Sequence, residues 1–307
     1  MKEERVLVSE ADGLKLQVLA VYPQKKIRGI LQIVHGMSEN KERYLPFMEY
    51  MADQGLAVII HDHRGHGGSV KSRQDLGYFY GGGAGMLVAD THQITLYARQ
   101  RWPEVPLVLM GHSMGSMVVR AYAKKYDADL DALIVCGSPG KNPLAGAGRL
   151  LVRCMKPFFG AYHRSNLLKN MSFGSFAKKF PDESSEFSWC CSDPEVVRAY
   201  EDSPLCGFTF TLDGYMGLLE LMQETYSYRG WKVKNPGLPI AFVAGAEDPC
   251  VGSKKKFAHA VGFMRSVGYR RVKGKLYPGM RHEILNEKGK EKVYQDLWCF
   301  IHKALKI

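Results

Sequence analysis

Four apolar runs set the first expectation. GILQIVH (29–35), LAVIIHD (56–62), PLVLMG (106–111) and LDALIVCGS (130–138) are short and almost continuously apolar. Strands buried on both faces read this way. LKLQVLAVYP (14–23) alternates in part and is read as a further strand. RYLPFMEYMADQG (43–55) instead has helical spacing and stops at Gly55, and MGSMVVRAYAKKY (114–126) is helical directly after a strand. This succession predicts a largely parallel sheet with helices on both faces. From Pro139 to about Asn235 no buried strand is evident, and helical and loop segments rich in aromatics take over. Alternation resumes with LPIAFVAGAED (238–248), a helical stretch near 253–267 and KGKLYPG (273–279). It closes on a helix carrying Val293, Leu297, Phe300 and Ile301 at three- to four-residue spacing. The expected organisation is a split α/β core, residues 1–138 and 236–307, with a helical cap inserted at 139–235. Ligands of open α/β sheets bind at the carboxyl ends of the strands, so an insertion there becomes a lid.

Chemistry enters at Gly111-His112-Ser113-Met114-Gly115, a G-x-S-x-G sequence between a buried strand and a helix. That context puts the serine on a tight turn with Oγ above the sheet, and small neighbours let strand and helix approach. The alternative, a glycine-rich turn with an ordinary surface serine, does not require the strand and helix that flank it. A serine hydroxyl needs a base, and the base needs an orienting carboxylate. In chain order these follow as Asp248, closing its strand, and His282, in the loop YPGMRHE. Glu247 is the rival acid, but its side chain is expected on the other side of the chain. His259 and His302 fall in helices. The Met114 N–H, at the start of the helix, and the Met37 N–H, after His35-Gly36, are the expected oxyanion donors. Gly36 permits the backbone turn there, and His35 is expected to pack the loop.

Other features change this picture little. Net charge is +11, which suits a solvated surface, and no nucleic-acid motif accompanies it. The run His61-Asp62-His63-Arg64-Gly65-His66 offers zinc-type ligands, but they crowd one loop and no spaced partner completes a site; no metal and no cofactor are expected. Seven irregularly spaced cysteines form no disulfide framework, and the opening residues lack a signal peptide's apolar run; cytoplasmic location is the expectation. Asn170-Met171-Ser172 is a glycosylation sequence on paper only. Cys250 is read as a buried inert thiol at the pocket edge. Within the cap, residues 141–180 hold eight Lys or Arg and no acid. Leu144, Gly148, Leu151 and Met155 share one helical face, with Arg149, Arg153 and Lys156 opposite. Such a helix suits peripheral contact with an anionic membrane. The plainer reading packs the apolar face on the core and leaves the charges solvated. Phe158, Phe159, Tyr162, Phe173 and Phe176 are candidate walls of an acyl tunnel.

HGMSENKERY, DHRGHGGS, GHSMG, GAEDP and MRHEILNE, in this order, resemble the monoacylglycerol lipase and lysophospholipase branch (serine aminopeptidase S33-like) of the α/β-hydrolases. The resemblance spans almost the whole core. It implies an eight-stranded, mostly parallel sheet, a helical cap, no metal, and hydrolysis of carboxylic esters of monoacyl lipids. It puts the nucleophile, acid and base on Ser113, Asp248 and His282, and the oxyanion donors on Met37 and Met114. It places substrate contacts on Gly36, Glu39, Arg43 and His112. The second histidine of glycerol-recognising members is Leu285 here. A lipid or other ester is the expected small-molecule partner, with no nucleic acid and no obligate protein partner. A short-chain carboxylesterase, a peptidase, an acyltransferase and a non-catalytic binding protein remain as alternatives on the same fold. Ser113 argues against dehalogenase and epoxide-hydrolase chemistry, which use a carboxylate nucleophile there.

Overall fold

The computed structural model describes residues 1–307. In chain order the elements are β1 (Lys2–Val8), β2 (Lys15–Val21), β3 (Gly29–Val34), α1 (Leu45–Asp53), β4 (Leu56–His61), α2 (Gly83–Arg101), β5 (Leu107–His112), α3 (Met114–Tyr126) and β6 (Ala132–Cys136). Next come α4 (Ala145–Phe159), α5 (Asn166–Phe173), α6 (Pro194–Asp202) and α7 (Leu212–Thr225). β7 (Pro239–Gly245), α8 (Lys254–Ser266), β8 (Arg271–Tyr277) and α9 (Lys290–Leu305) complete the chain.

Eight strands form one sheet in the order β1-β2-β4-β3-β5-β6-β7-β8. β1 and β2 are antiparallel, as are β2 and β4; every other pair is parallel. This is the expected mostly parallel α/β architecture. The central strands β3, β4, β5, β6 and β7 are buried along their whole length, which is why their sequences show no polar alternation. Alternate residues divide between two layers. Ile30, Val34, Leu107 and Leu109 pack under α2, α3, α7 and α8, while Leu31, Ile33, Val108 and Met110 pack under α1 and α9.

Two elements went unforeseen. β1 is an edge strand with mostly exposed residues, so it carries no apolar pattern; its register with β2 defines it. α2 buries Asp90, Thr91 and Thr95, which blur its helical periodicity. These polar groups are satisfied internally. Thr95 Oγ1 donates to Gln32 Oε1 (2.7 Å), and Asp90 accepts from Ser9 (2.7 Å) and from the fully buried Arg64 (2.7 Å). β7 ends at Gly245, three residues short of the run read from the sequence, because the chain turns there towards Asp248.

Four helices and no strand lie between β6 and β7. This segment has no core of its own. Leu212, Tyr215, Leu218 and Leu221 of α7, with Val152 of α4, belong to the same apolar cluster as α2 and α3. No helix is long and apolar enough to cross a membrane.

Candidate active site

The sharp turn between β5 and α3 follows from its glycines. A Cβ on Gly115 would drive into the carbonyl oxygens of Val34 and His35, and one on Gly111 into the Gly115 carbonyl. Only glycine lets α3 begin directly against β3 and β5. Ser113, between them, is forced to φ 53°, ψ −116°, a conformation that costs an ordinary residue about 1–3 kcal/mol. Its N–H donates to Cys136 O (3.0 Å), tying the turn to β6.

Asp248 follows β7 and His282 follows β8, at the same sheet edge. Asp248 Oδ2 lies 2.8 Å from His282 Nδ1. Its other oxygen accepts the Cys250 N–H at 2.7 Å, so the carboxylate is held at both ends. Glu247, the rival acid, is exposed. His282 and Ser113 face one cavity without a hydrogen bond between them; in ligand-free hydrolases such bonds are commonly long. The Met37 and Met114 N–H groups donate to no other group of the protein. Met114 opens α3, where the first N–H groups of a helix have no partner within it.

Two cavities meet at Ser113. One, about 230 Å³, is lined by Glu39, His112, His282, Glu283, Trp189 and Tyr200 among others. The second, about 340 Å³, runs under the inserted helices along Met117, Leu144, Leu168, Leu218, Leu219 and Met222. Met37, Phe173 and Tyr215 border both. Phe176 lines the second, whereas Phe158, Phe159 and Tyr162 line neither and are exposed.

Of the four residues expected to touch substrate, Glu39 and His112 line the smaller cavity, and Gly36 and Arg43 line neither. Gly36 provides clearance: a Cβ there would lie 3.0 Å from Ser113 Cβ. Arg43 stands behind the wall. It donates twice to Glu283 (2.7 and 2.6 Å) and once to Glu39 (3.1 Å), with its guanidinium 4.7 Å from the Tyr200 ring centroid. Three of its five N–H donors hold two carboxylates. Glu39 Oε1 also accepts from Gly36 N (2.5 Å) and Tyr44 OH (2.9 Å) and lies 3.3 Å from His112 Nδ1. Burial alone would raise the Glu39 pKa, but His112 and Arg43 beside it hold it well below the ordinary carboxylate range. Burial would likewise lower that of His112; the Glu39 carboxylate outweighs this and raises it. Each group thus favours the charged form of the other.

Several participants carried no sequence signal. Glu283 is one, and the inserted stretch 188–192 is another. The Glu283 N–H donates to Cys190 O (2.7 Å), and Arg281 donates to Ser188 O (2.6 Å) and Cys191 O (3.2 Å). Glu287 accepts from the N–H groups of Ser192 (3.0 Å) and Arg281 (2.8 Å). The Trp189 ring centre lies 5.1 Å from that of His282. Such pairings join residues some ninety positions apart and become visible only in three dimensions. Leu285, in place of the second histidine, is buried in the α1–α9 layer and lines neither cavity.

The histidine-rich run packs behind the loop that carries Gly36 and Met37. His35, His61, His63 and His66 are fully buried, and His35 lies 4.5 Å from His63 and 5.2 Å from His66 between ring centres. Burial pushes His35 down to about 3 and His61 and His66 to about 4, so all three are neutral near pH 7. His35 packs its loop as expected, accepting the His63 N–H at 2.9 Å. The donors that come together as a metal could use them are elsewhere: Asp248, Cys250 and His282.

The cap helix differs from its expected orientation. Leu151 and Met155 turn inward as the plainer reading has it, and Gly148 packs near Leu219. Of the three cations, Lys156 reaches Asp213 (3.1 Å) and Arg149 reaches Gln223 (3.2 Å). The outward side of α4 instead exposes Leu150 and Phe158, with Leu144 just before the helix.

Comparison with known proteins follows the same lines. Residues 25–289 match the serine aminopeptidase S33 family. A monoacylglycerol lipase of Mycolicibacterium smegmatis is 28% identical over 91% of this chain and 90% of its own length. The human monoglyceride lipase is 30% identical over 62% of this chain and 59% of its own. A thermostable carboxyl esterase from Bacillus coagulans, solved in complex with glycerol, superimposes with a TM-score of 0.92 over 99% of both chains at 25% identity. With its turn, its sheet and its sequence in agreement, the chain belongs to the serine aminopeptidase S33 family, within the monoacylglycerol-lipase branch of the α/β-hydrolases.

Proposed function

We propose that this carboxylic ester hydrolase cleaves monoacyl lipids by acyl transfer through Ser113, with His282 as base and Asp248 as its orienting acid. The observation that carries the reading is the strained Ser113 at the junction of two cavities, of which only one is lined by His282. The base that takes the serine proton must later protonate the leaving alkoxide. The alcohol therefore belongs in the His282-lined arm and the acyl chain in the other. Their linings support this: carboxylates, His112 and Tyr200 on the alcohol side, and methionines and leucines on the acyl side. The esterase solved with glycerol and the relatives named monoacylglycerol lipases support a polyol as the alcohol.

Ser113 Oγ attacks the ester carbonyl as His282 Nε2 accepts its proton. Asp248 keeps the remaining ring proton on Nδ1. The Met37 and Met114 N–H groups stabilise the oxyanion. Collapse releases the alcohol, protonated by His282, and water then deacylates Ser113 by the same route. Turnover of p-nitrophenyl esters of rising chain length, monoacylglycerol and lysophospholipids by wild type and Ser113→Ala tests the reading. Ser113-dependent turnover of long monoacyl lipids is expected; activity confined to short esters would reduce it to a general carboxylesterase.

The exposed Leu144, Leu150 and Phe158, beside Arg153 in a segment without acids, favour peripheral contact with an anionic membrane as a second reading. Leu150→Ser/Phe158→Ser is expected to weaken sedimentation with anionic vesicles. Unchanged, salt-insensitive binding would remove this reading.

A further inference from the structure

Asp248, Cys250 and His282 each present one donor atom to a common spot, and the three atoms lie within 4.8 Å of one another. The set is one carboxylate oxygen, one sulfur and one imidazole nitrogen. Mixed N, S and O donors suit zinc and its thiophilic neighbours, whereas magnesium and calcium take oxygen. Tetrahedral zinc holds its ligands about 3.4 Å apart, so these donors need to shift by about 1 Å or less to surround an ion. Two charges on the cation against one carboxylate and one thiolate leave the buried cluster neutral. Cys250 lines the acyl arm, which gives a solute a path to the sulfur.

We propose that these three residues bind a thiophilic divalent cation of the zinc type, and that the bound ion switches hydrolysis off. The inference rests on the triad reading above. His282 Nδ1 faces Asp248 and carries the ring proton in the working state. When the Nδ1 lone pair goes to the metal, that proton moves to Nε2, and no nitrogen is left to accept a proton from Ser113. The Cys250 S–H bond breaks, its proton goes to solvent, and a sulfur–metal bond forms; the imidazole changes tautomer and stays neutral. The ion acts as a reversible inhibitor and takes no part in turnover.

The test uses the full chain with the two exposed thiols, Cys154 and Cys299, replaced by serine. Zinc is titrated against ester turnover for this protein and for its Cys250→Ser and Cys250→Ala variants, with EDTA reversal. Separately, cadmium is titrated into the Ser113→Ala form and followed by thiolate-to-metal charge-transfer absorption. The expected result is EDTA-reversible inhibition, at least tenfold more zinc needed by both Cys250 variants when each is scaled to its own metal-free turnover, and an absorption band lost with Cys250. Equal inhibition of all three forms, or a band that survives Cys250→Ser, overturns the proposal. Full turnover by Ser113→Ala would defeat the triad reading, while the cadmium band reports the site independently of catalysis.

Discussion

Ser113 joins a strained backbone to the position from which we propose it attacks. Its positive φ is imposed by Gly111 and Gly115, neither of which tolerates a side chain. Replacing it by glycine removes the steric cost, offset in part by glycine's greater freedom in the unfolded chain. Ser113→Gly is expected to abolish hydrolysis and to raise stability by about 1 kcal/mol, read as a shifted urea midpoint at unchanged slope. Loss of stability would show that the turn is not strained. The Glu39–His112 pair makes a second residue-scale prediction. His112 has a raised pKa, so its contribution to stability is present below its ordinary 6.5 and is lost as pH rises through the folded value. Glu39 has a lowered pKa, so its contribution is present above its ordinary 4.5 and is lost as pH falls. A double-mutant cycle with Glu39→Gln and His112→Asn is expected to give its largest coupling energy between about pH 4.5 and 6.5, and a smaller one at pH 9. A coupling that does not change with pH would mean the pair is not ionic. At this scale the sequence singled out candidates and was silent on what surrounds them. Ser113, Asp248 and His282 stood out because chain order and strand ends are written in the sequence. That Arg43 faces away from the cavity, holding Glu39 and Glu283, depends on a partner 240 positions away.

Elements were legible wherever burial leaves a pattern. β3 to β7 announced themselves because both faces are covered. β1 did not, because its residues are mostly exposed, and α2 did not, because its inward face is built from hydrogen-bonded Asp90, Thr91 and Thr95. The α4 reading found the inward face but not the outward one, since the sequence cannot say which apolar positions find a neighbour. Two predictions belong here. α3 reaches β3 only across Gly115, so Gly115→Ala must push the helix off the sheet. We expect a loss of about 3 kcal/mol or more in stability and a collapse of turnover, checked by urea unfolding and ester hydrolysis. β4 ends on His61, and with His63 and His66 in the loop that follows it is stored uncharged beside His35. In the unfolded chain these imidazoles take up protons near their ordinary 6.5; in the folded one His35, His61 and His66 resist until about 3 to 4. Stability must therefore fall as pH drops from about 6.5 towards 4. His61→Phe is expected to flatten that fall in a urea series from pH 7 to 4, and an unaltered slope would exclude His61 as a contributor.

Across the whole molecule, the inserted helices and the sheet share one core, and the cavity we assign to the acyl chain runs along their seam. Leu219 of α7 lines that arm and not the alcohol arm. Leu219→Trp is expected to lower kcat/KM for long acyl esters at least tenfold relative to butyrate, with the alcohol preference unchanged. A uniform loss across chain lengths would move the acyl chain out of this cavity. The expected boundaries at 139 and 235 enclose four α-helices, one short 3-10 turn and no strand. α7 packs its Leu212, Tyr215 and Leu218 into the core of the sheet. No pattern of residues along one segment announces whether it will find its core within itself or in a neighbour.

The clasp between residues 188–192 and the loop carrying His282 bears on how such proteins can be recombined. Arg281 pairs through its guanidinium with Glu183 and donates to the Ser188 and Cys191 carbonyls, Glu287 accepts from the Ser192 N–H and hydroxyl, and the Glu283 N–H donates to Cys190 O. A chimaera that imports a foreign lid while keeping the native histidine loop would leave Arg281 and Glu287 buried without their partners, and would set the base loose at the moment its aim matters. The inserted segment and the histidine loop of this chain thus act as one unit, separated along the sequence by β7, α8 and β8, and an exchange of either is expected to succeed only when both halves move together.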